Sequence, residues 1–162
     1  MNFQYHNPIK FIFGSDAYAH ISEICKNHKV ILVYGGDSIK RNGIYERITK
    51  TLENNHIEYV DYSNQTTATY QGIMNGIKLA KQEKIDAIIE IGGASAMDTG
   101  KAIAFGAVHD NLEDYIEGRL QSDNKHLLNI IIPTYTSTGS EANSVCDIME
   151  YKGGGAELFL SL

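Results

Sequence analysis

A pair of glycines between an apolar run and a predicted helix is the feature of this chain with the clearest chemistry. Gly92 and Gly93 follow residues 87–91, Ala-Ile-Ile-Glu-Ile, which predict a buried strand, and the residues from Lys101 to Phe105 predict a helix. Glycines at such a turn let the backbone bend sharply and approach a ligand without a Cβ in the way. The first N–H groups of the helix and the positive end of its dipole then face the turn. This arrangement suits a phosphate or pyrophosphate.

The same turn also fits a plainer structural role. Its spacing is not that of the GxGxxG fingerprint of dinucleotide sites. Ser95 and Asp98 form an S-x-x-D pair, which is typical of the capping box that satisfies free N–H groups at a helix start. Lys101 follows Asp98 by three residues, a spacing that predicts an ion pair within the helix. A phosphate site and an ordinary capped helix therefore both fit these residues.

Two further polar loops follow predicted strands, which favours a ligand site. Residues 35–38, Gly-Gly-Asp-Ser, follow the strand predicted at 30–34, and residues 134–141, Thr-Tyr-Thr-Ser-Thr-Gly-Ser-Glu, follow a later apolar run. Ligands of doubly wound sheets bind beyond the carboxyl ends of the strands. The hydroxyl groups of the later loop are suitable partners for phosphate or ribose oxygens, although Thr138 and Glu141 also fit a second capping pair.

Strands and helices alternate along the chain, which predicts an α/β fold with a mainly parallel sheet and helices on both faces. The predicted elements are a strand at 10–13, a helix over roughly 16–27, strands at 30–34 and 59–62, helices at 44–54 and 70–82, and strands at 85–91 and 127–132. Cys25 lies on the apolar stripe of the first helix and is predicted to be a core residue. Residues 150–155 predict a loop. The apolar tail at 158–162 needs a partner surface, so we expect the chain to be cut short there.

Length, charge and residue types restrict the class of protein. The 162 residues, 43% hydrophobic and 21% charged, suit one soluble domain. A net charge of −6 disfavours a nucleic-acid partner, and no apolar run approaches the roughly 20 residues of a membrane span. Two cysteines and the lack of a secretory leader pattern indicate the cytoplasm. The six histidines are scattered and no cysteine has a visible base, so we predict no metal-binding and no catalytic residue here.

The three loops and the N-terminal segment together resemble the iron-containing alcohol dehydrogenase family, in its butanol dehydrogenase-like branch. The segments that carry the resemblance are residues 3–14, residues 34–45, residues 92–101, which resemble the GGGSxxDxxK phosphate loop, and residues 133–143, which resemble the TGSE segment. The resemblance runs from about residue 3 to residue 155. It implies a Rossmann-like nucleotide-binding domain over residues 1–162, similar to the N-terminal domain of dehydroquinate synthase.

The resemblance also implies a cofactor, NAD or NADP, and the residues that bind it. These are Gly92, Gly93, Ser95 and Asp98 at the pyrophosphate, Thr134, Thr138 and Asn143 along the cleft near the nicotinamide, and Gly36, Asp37 and Ser38 at the adenosine ribose. Two departures from the family pattern bear on this site. Ala94 replaces the third glycine of the phosphate loop, where its methyl either crowds the pyrophosphate or is harmless if φ is negative. Asp37 replaces a usual glycine, and its carboxylate favours NAD over NADP because it repels a 2′-phosphate.

The implied reaction is reversible hydride transfer between the nicotinamide and a small alcohol or aldehyde. Iron or another divalent metal polarises the substrate oxygen in this family. Its ligands, one aspartate and three histidines, lie in a second, helical domain to which nothing here corresponds, so we expect the chain alone to lack useful dehydrogenase activity. The resemblance further implies homodimer contacts through residues 3–13. Two alternatives stay open: a non-catalytic nucleotide-binding module or gene remnant, and a dehydroquinate synthase-like lyase, which residues 34–45 disfavour.

Overall fold

A computed structural model describes residues 2–4 and 6–160 of the chain. The chain begins its regular structure with a short 3-10 turn at Ala17–Ala19. The elements that follow, in chain order, are α1 (His20–Ile24), β1 (Val30–Tyr34), α2 (Ser38–Arg41), α3 (Ile44–Asn54), β2 (Tyr59–Tyr62), α4 (Tyr70–Glu83), β3 (Ala87–Gly92), α5 (Ala94–Gly106), α6 (Leu112–Ile116), β4 (Leu128–Pro133), a 3-10 turn (Ser140–Ala142), β5 (Val145–Tyr151) and β6 (Gly154–Phe159).

The central sheet has four parallel strands in the order β2-β1-β3-β4. The chain passes from β1 outward to β2 and then crosses back over β1 to β3. The direction of winding therefore reverses between β1 and β3, and this reversal is the switch point at which open α/β sheets form ligand clefts. The predicted α/β fold with a mainly parallel sheet is confirmed.

The side chains of β1 alternate between two cores, one on each face of the sheet. Ile31 and Val33 pack with α4, α5 and the β5–β6 hairpin, whereas Leu32 and Tyr34 pack with α1, α2 and α3. All four side chains are buried, because a parallel sheet is covered on both faces. The predicted helices on both faces are therefore confirmed as well.

Most sheet and helix predictions hold to within two residues. The strands at 30–34 and 59–62 and the helix at 44–54 are confirmed to the residue, and the helix predicted at 70–82 ends at Glu83. Strands β3 and β4 lie within two residues of their predicted bounds. The amphipathic and apolar patterns of these segments thus agree with their tertiary packing.

The structure differs from the predictions in the N-terminal part of the chain. The strand predicted at 10–13 is wrong, because a strand needs a hydrogen-bonded neighbour and none of the described strands lies beside these residues. The helix predicted over 16–27 is divided into the turn Ala17–Ala19 and α1, and Asn27 leaves the helical region with a φ of 66°. Cys25 is fully buried in the core, as predicted.

The loop predicted at 150–155 is shorter in the structure: only residues 152–153 form a turn, and the rest of the range belongs to the β5–β6 hairpin. Lys152 and Gly153 have φ values of 48° and 85°, and two central residues with positive φ are typical of a tight hairpin turn whose twist matches that of the strands. Leu158 of the apolar tail is fully buried in the core formed by α4, α5 and the hairpin. This residue therefore finds its partner surface within the chain.

Candidate functional site

A cleft of about 370 Å³ lies at the switch point, beyond the carboxyl ends of the strands. Its lining residues come from the loops after all four strands of the sheet: Gly35, Gly36, Ser38, Ile39, Gln65, Thr66, Ile91, Gly92, Gly93, Ala94, Ser95, Ala96, Thr134, Tyr135 and Ser137. A larger cavity of about 550 Å³ lies at the opposite end, where residues preceding β1 and β2 line it. The glycine- and hydroxyl-rich loops meet at the first cleft, which is therefore the candidate site.

The turn into α5 brings bare backbone to the cleft. Gly92 has a φ of 153°, and a Cβ on it would lie 3.0 Å from the Cβ of Ala96, so the position requires glycine. Gly93 is the N-cap residue of α5, and no side chain caps this helix. A Cβ on Gly93 would meet no atom within 4 Å, because the space beside it is open cleft. The first N–H groups of a 13-residue helix and its dipole thus face an open, polar space.

The capping box predicted for Ser95 and Asp98 is wrong, because the helix begins at Ala94 and both residues lie inside it. The carbonyl of Ser95 accepts a hydrogen bond from the hydroxyl of Thr99 at 2.7 Å. Ser95 itself lines the cleft. The second capping pair, Thr138 with Glu141, forms only in part: the turn Ser140–Ala142 has Gly139 at its N-cap, and the Thr138 hydroxyl accepts the N–H of Ser140.

Ala94 is compatible with the turn in which it replaces a glycine. It is the first residue of α5 and does not have a positive φ. A methyl group therefore brings no backbone strain at this position. The sequence predicts that alanine is harmless here if φ is negative, and the backbone of Ala94 meets this condition.

The loop after β1 lies opposite the α5 turn. Gly36 and Ser38 line the cleft, and Asp37 between them is the N-cap residue of the short helix α2. The Asp37 carboxylate points to solvent, where its side chain is 74% exposed, and lies 3.8 Å from Lys40 Nζ. Lys40 in turn lies over the ring of Tyr45, 5.3 Å from its centroid. A negative and a positive group therefore stand side by side at this rim of the cleft.

A partly buried tyrosine, Tyr45, supports this rim from below. The hydroxyl of Tyr45 donates to Asp61 at 2.8 Å, and its ring packs edge-on against Tyr34. Burial, followed by the nearby Asp61 carboxylate, raises the pKa of Tyr45. Tyr45 therefore remains a neutral hydrogen-bond donor that fixes the start of α3 against β2.

The hydroxyl-rich loop after β4 forms the third wall. Thr134 lines the cleft together with Tyr135 and Ser137, and the N–H of Thr134 donates to the carbonyl of Gly92 at 2.9 Å. Thr138 is not among the lining residues, and its hydroxyl accepts the N–H of Ser140 at 3.3 Å. The loop is thus joined directly to the glycine turn.

Asp98 and Asn143 lie behind the cleft rather than along it. The Asp98 carboxylate is buried and accepts the hydroxyl of Ser140 at 2.6 Å. The Asn143 side-chain oxygen accepts the N–H of Val145 at 3.0 Å. Both also contact Lys101, whose side chain is 4% exposed. The ion pair predicted between Asp98 and Lys101 is present at 3.5 Å.

The structure therefore brings six of the ten predicted residues to the cleft: Gly36, Ser38, Gly92, Gly93, Ser95 and Thr134. Asp37 stands at the rim, and Asp98, Thr138 and Asn143 are not among the lining residues. Sequence reasoning missed Gln65 and Thr66, which line the cleft from the loop after β2. The signal was available, because this polar loop also follows a predicted strand.

Metal ligands do not come together in the part of the chain that the structure describes. There, no three histidine, cysteine, aspartate or glutamate side chains form a group that could hold a metal ion. No step of metal chemistry is therefore assigned to these residues. Among the same residues, no helix has both the length and the apolar character that a membrane crossing requires.

Comparisons with known proteins agree with this geometry. A model of the family described as iron-containing alcohol dehydrogenase matches residues 8–159. NADH-dependent butanol dehydrogenase A of Clostridium acetobutylicum is 34% identical over 151 residues, which cover 91% of this chain and 39% of that protein. NADP-dependent alcohol dehydrogenase 3 of Entamoeba histolytica is 31% identical over 88% of this chain and 38% of its own length.

Solved structures show the same similarity. The crystal structure of an NADH-dependent butanol dehydrogenase A from Thermotoga maritima matches with a TM-score of 0.89 at 33% identity, and the match covers 98% of this chain and 41% of that one. The present chain therefore spans well under half the length of each of these proteins. Residues 8–159, which the family model matches, include all of the residues that line the cleft.

Proposed function

Because the chain belongs to the iron-containing alcohol dehydrogenase family, we propose that it binds a nicotinamide dinucleotide in the cleft at the switch point. The uncapped start of α5, with the open space beside Gly93, is the observation that carries this proposal. A pyrophosphate placed there accepts hydrogen bonds from backbone N–H groups and is stabilised by the helix dipole. Gly92, Gly93 and Ser95 surround this position.

The rest of the cleft suits the two ends of the dinucleotide. Gly36 and Ser38, with Asp37 at the rim, are proposed to face the adenosine ribose. Thr134 is proposed to face the nicotinamide side, with Thr138 and Asn143 further along the same segment. This assignment uses the backbone turns for close approach and the hydroxyls for ribose and phosphate oxygens.

The proposed role of residues 1–162 is that of the nucleotide-binding domain of a longer enzyme. In that enzyme, hydride passes between the nicotinamide and the carbon of a small alcohol or aldehyde. The residues described here bind and orient the cofactor and shield it from water, while the metal that activates the substrate oxygen is proposed to be held elsewhere. A cytoplasmic location remains a prediction from the cysteine content.

Some relatives are named as NADH-dependent and others as NADP-dependent, so we base the proposed cofactor preference of this chain on Asp37. We expect NADH to bind this chain roughly tenfold more tightly than NADPH, which corresponds to about 1.4 kcal/mol. The exposed carboxylate repels a 2′-phosphate, and Lys40 offsets this repulsion only in part. Calorimetric titration of the purified chain with each cofactor tests both the proposed function and this preference.

The isosteric Asp37→Asn variant is the matched control, because it removes the charge and keeps the shape. Its preference for NADH should fall to within about threefold, and added salt should reduce the preference of the wild type, since an exposed charge is screened. Tighter binding of NADPH, or an Asp37→Asn variant with unchanged preference, contradicts the assignment. Failure of the wild type to bind either cofactor contradicts the proposed function itself.

We also propose that the N-terminal segment pairs with its copy in a homodimer. Phe11 and Phe13 are 76% and 91% exposed, and their rings stack on one side of the segment at 6.4 Å. Replacing both by serine is expected to convert a dimer to a monomer in sedimentation experiments. Leu120→Ser, at an exposed leucine after α6, is the control that should remain dimeric. A wild-type chain that is monomeric at the highest attainable concentration refutes this pairing.

A further inference from the structure

Lys101 is a buried cation, and the oxygens to which it donates belong to one segment of the chain, residues 140–145. Its Nζ donates to the backbone carbonyls of Val145 at 2.6 Å and Ser140 at 3.0 Å. It also donates to the side-chain oxygen of Asn143 at 3.2 Å, and the Asp98 carboxylate lies 3.5 Å away. An ammonium group has three N–H donors, so these partners satisfy it fully. Burial of this charge is tolerated because it is surrounded by oxygens.

Asp98 completes the same cluster from one turn earlier in α5. One carboxylate oxygen accepts the hydroxyl of Ser140 at 2.6 Å, and the other accepts the N–H of Asp147 at 3.4 Å. The two charged side chains of α5 therefore hold residues 140–147 together: Lys101 binds backbone carbonyls of this segment, and Asp98 binds a hydroxyl and a backbone N–H. An ion pair within the helix, which the spacing alone predicts, accounts for only one of these contacts.

The held segment is continuous with the wall of the cleft. Residues 134–137 line the cleft, and residues 140–145 enter the cluster directly after them. The other end of this loop is tied to the glycine turn through the bond from Thr134 N–H to the Gly92 carbonyl. Both anchors belong to the β3–α5 unit, which also presents the start of α5 to the cleft.

We infer that Asp98 and Lys101 are positioning residues that fix the hydroxyl-rich loop 134–143 against the phosphate-binding turn and so preform the nicotinamide side of the cleft. Neither side chain lines the cleft, so both act through the loop rather than on the cofactor. This inference rests on the proposed function. Without the cation, the carbonyl oxygens of Ser140 and Val145 lose the ammonium donor that draws them together, so the loop is expected to move away from the phosphate-binding turn.

The test compares two ligands that use different parts of the cleft. In the Asp98→Asn/Lys101→Met double variant, which removes both charges together, NADH affinity is expected to fall at least tenfold. ADP, which lacks the nicotinamide half, should bind within about twofold of the wild type. Calorimetric titration gives both affinities, and hydrogen exchange should show faster exchange confined to residues 134–147. Lys50→Met, at an exposed lysine paired with Glu46, is the control that should change neither ligand.

A milder variant keeps the inference testable if the double variant does not fold. Ser140→Ala removes only the hydroxyl bond to Asp98, and it should weaken NADH several-fold while leaving ADP unchanged. Equal losses for NADH and ADP, or unchanged NADH affinity in either variant, overturn the inference. If the wild type binds neither ligand, the proposed function fails, and the exchange data alone decide whether the cluster holds the loop.

Discussion

Replacing Gly93 by aspartate is expected to abolish measurable NADH binding while making the folded chain more stable. Gly93 has extended backbone angles, with a φ of −95° and a ψ of −166°, which are ordinary for an N-cap residue. An aspartate there can accept the free N–H groups of α5 and complement its dipole. The free energy of unfolding should therefore rise by about 0.5–1 kcal/mol. The new carboxylate occupies the position proposed for the pyrophosphate, and its charge repels that group.

The opposite signs of the two effects make this variant informative. We expect NADH affinity to fall at least 100-fold, or about 2.7 kcal/mol, as measured by calorimetry beside urea unfolding of the same sample. Gly93→Asn is the matched control, because it caps the helix without the charge and should lose affinity only about tenfold. A Gly93→Asp chain that is folded and binds NADH as the wild type does excludes the start of α5 as the pyrophosphate site.

The fold was predictable where a single segment carries its own signal. In β1, Ile31 and Val33 face one core and Leu32 and Tyr34 face the other, but the sequence does not show this alternation because every residue is apolar. The length of the run and its flanking turns were enough to predict the strand. The hairpin was missed although Cys146 and Ile148 face the core with Asp147 exposed between them, an alternating pattern typical of a half-buried strand. Its pairing partner lies further along the chain, and that partner decides whether such a pattern becomes a sheet.

The same difference between local and long-range signals explains which parts of the site were predictable. The turn was predictable because Gly92 has a backbone geometry that only glycine provides easily, and because Gly93 leaves the space beside it free of a Cβ. The direction of Asp98 was not predictable, since helical periodicity does not say which neighbour covers each face of α5. The return of residues 140–147 over this helix turns Asp98 away from the cleft and toward Ser140. Long-range packing therefore decides which polar residues line the cleft and which support its wall.

The largest stability effect is expected at Glu90, which lies in the middle of β3 with no exposed surface. Neither carboxylate oxygen has a hydrogen-bond partner among the described residues. The side chain packs so closely against Gly100 that a Cβ there would lie 2.3 Å from the Glu90 Cγ. Burial raises the pKa of Glu90 well above 4.5; Lys101 and then the side chain of Asn129 oppose this effect, and Asp98 reinforces it. Over the pH range just above 4.5, we therefore expect Glu90 to stay protonated in the folded chain and to be ionised in the unfolded chain.

This proton sets the sign of the pH dependence. Above pH 4.5, the ordinary pKa of the carboxyl in the unfolded chain, the folded state binds more protons than the unfolded state. The contribution of Glu90 to the free energy of unfolding consequently falls as the pH rises, by at most about 1.4 kcal/mol per pH unit, until the folded pKa is reached. Acid conditions favour the wild-type fold at this position, and alkaline conditions weaken it.

Glu90→Met is expected to stabilise the chain by about 1–3 kcal/mol at pH 8, because it replaces a buried group without partners by an apolar side chain of similar length. Urea unfolding of both proteins from pH 5 to pH 8 should show a stability difference that grows with pH. Glu90→Gln keeps the shape and polarity but cannot ionise, so its difference from Glu90→Met should stay constant over the same range. A difference between wild type and Glu90→Gln that also stays constant means that Glu90 is ionised in the folded chain, and the raised pKa is then wrong.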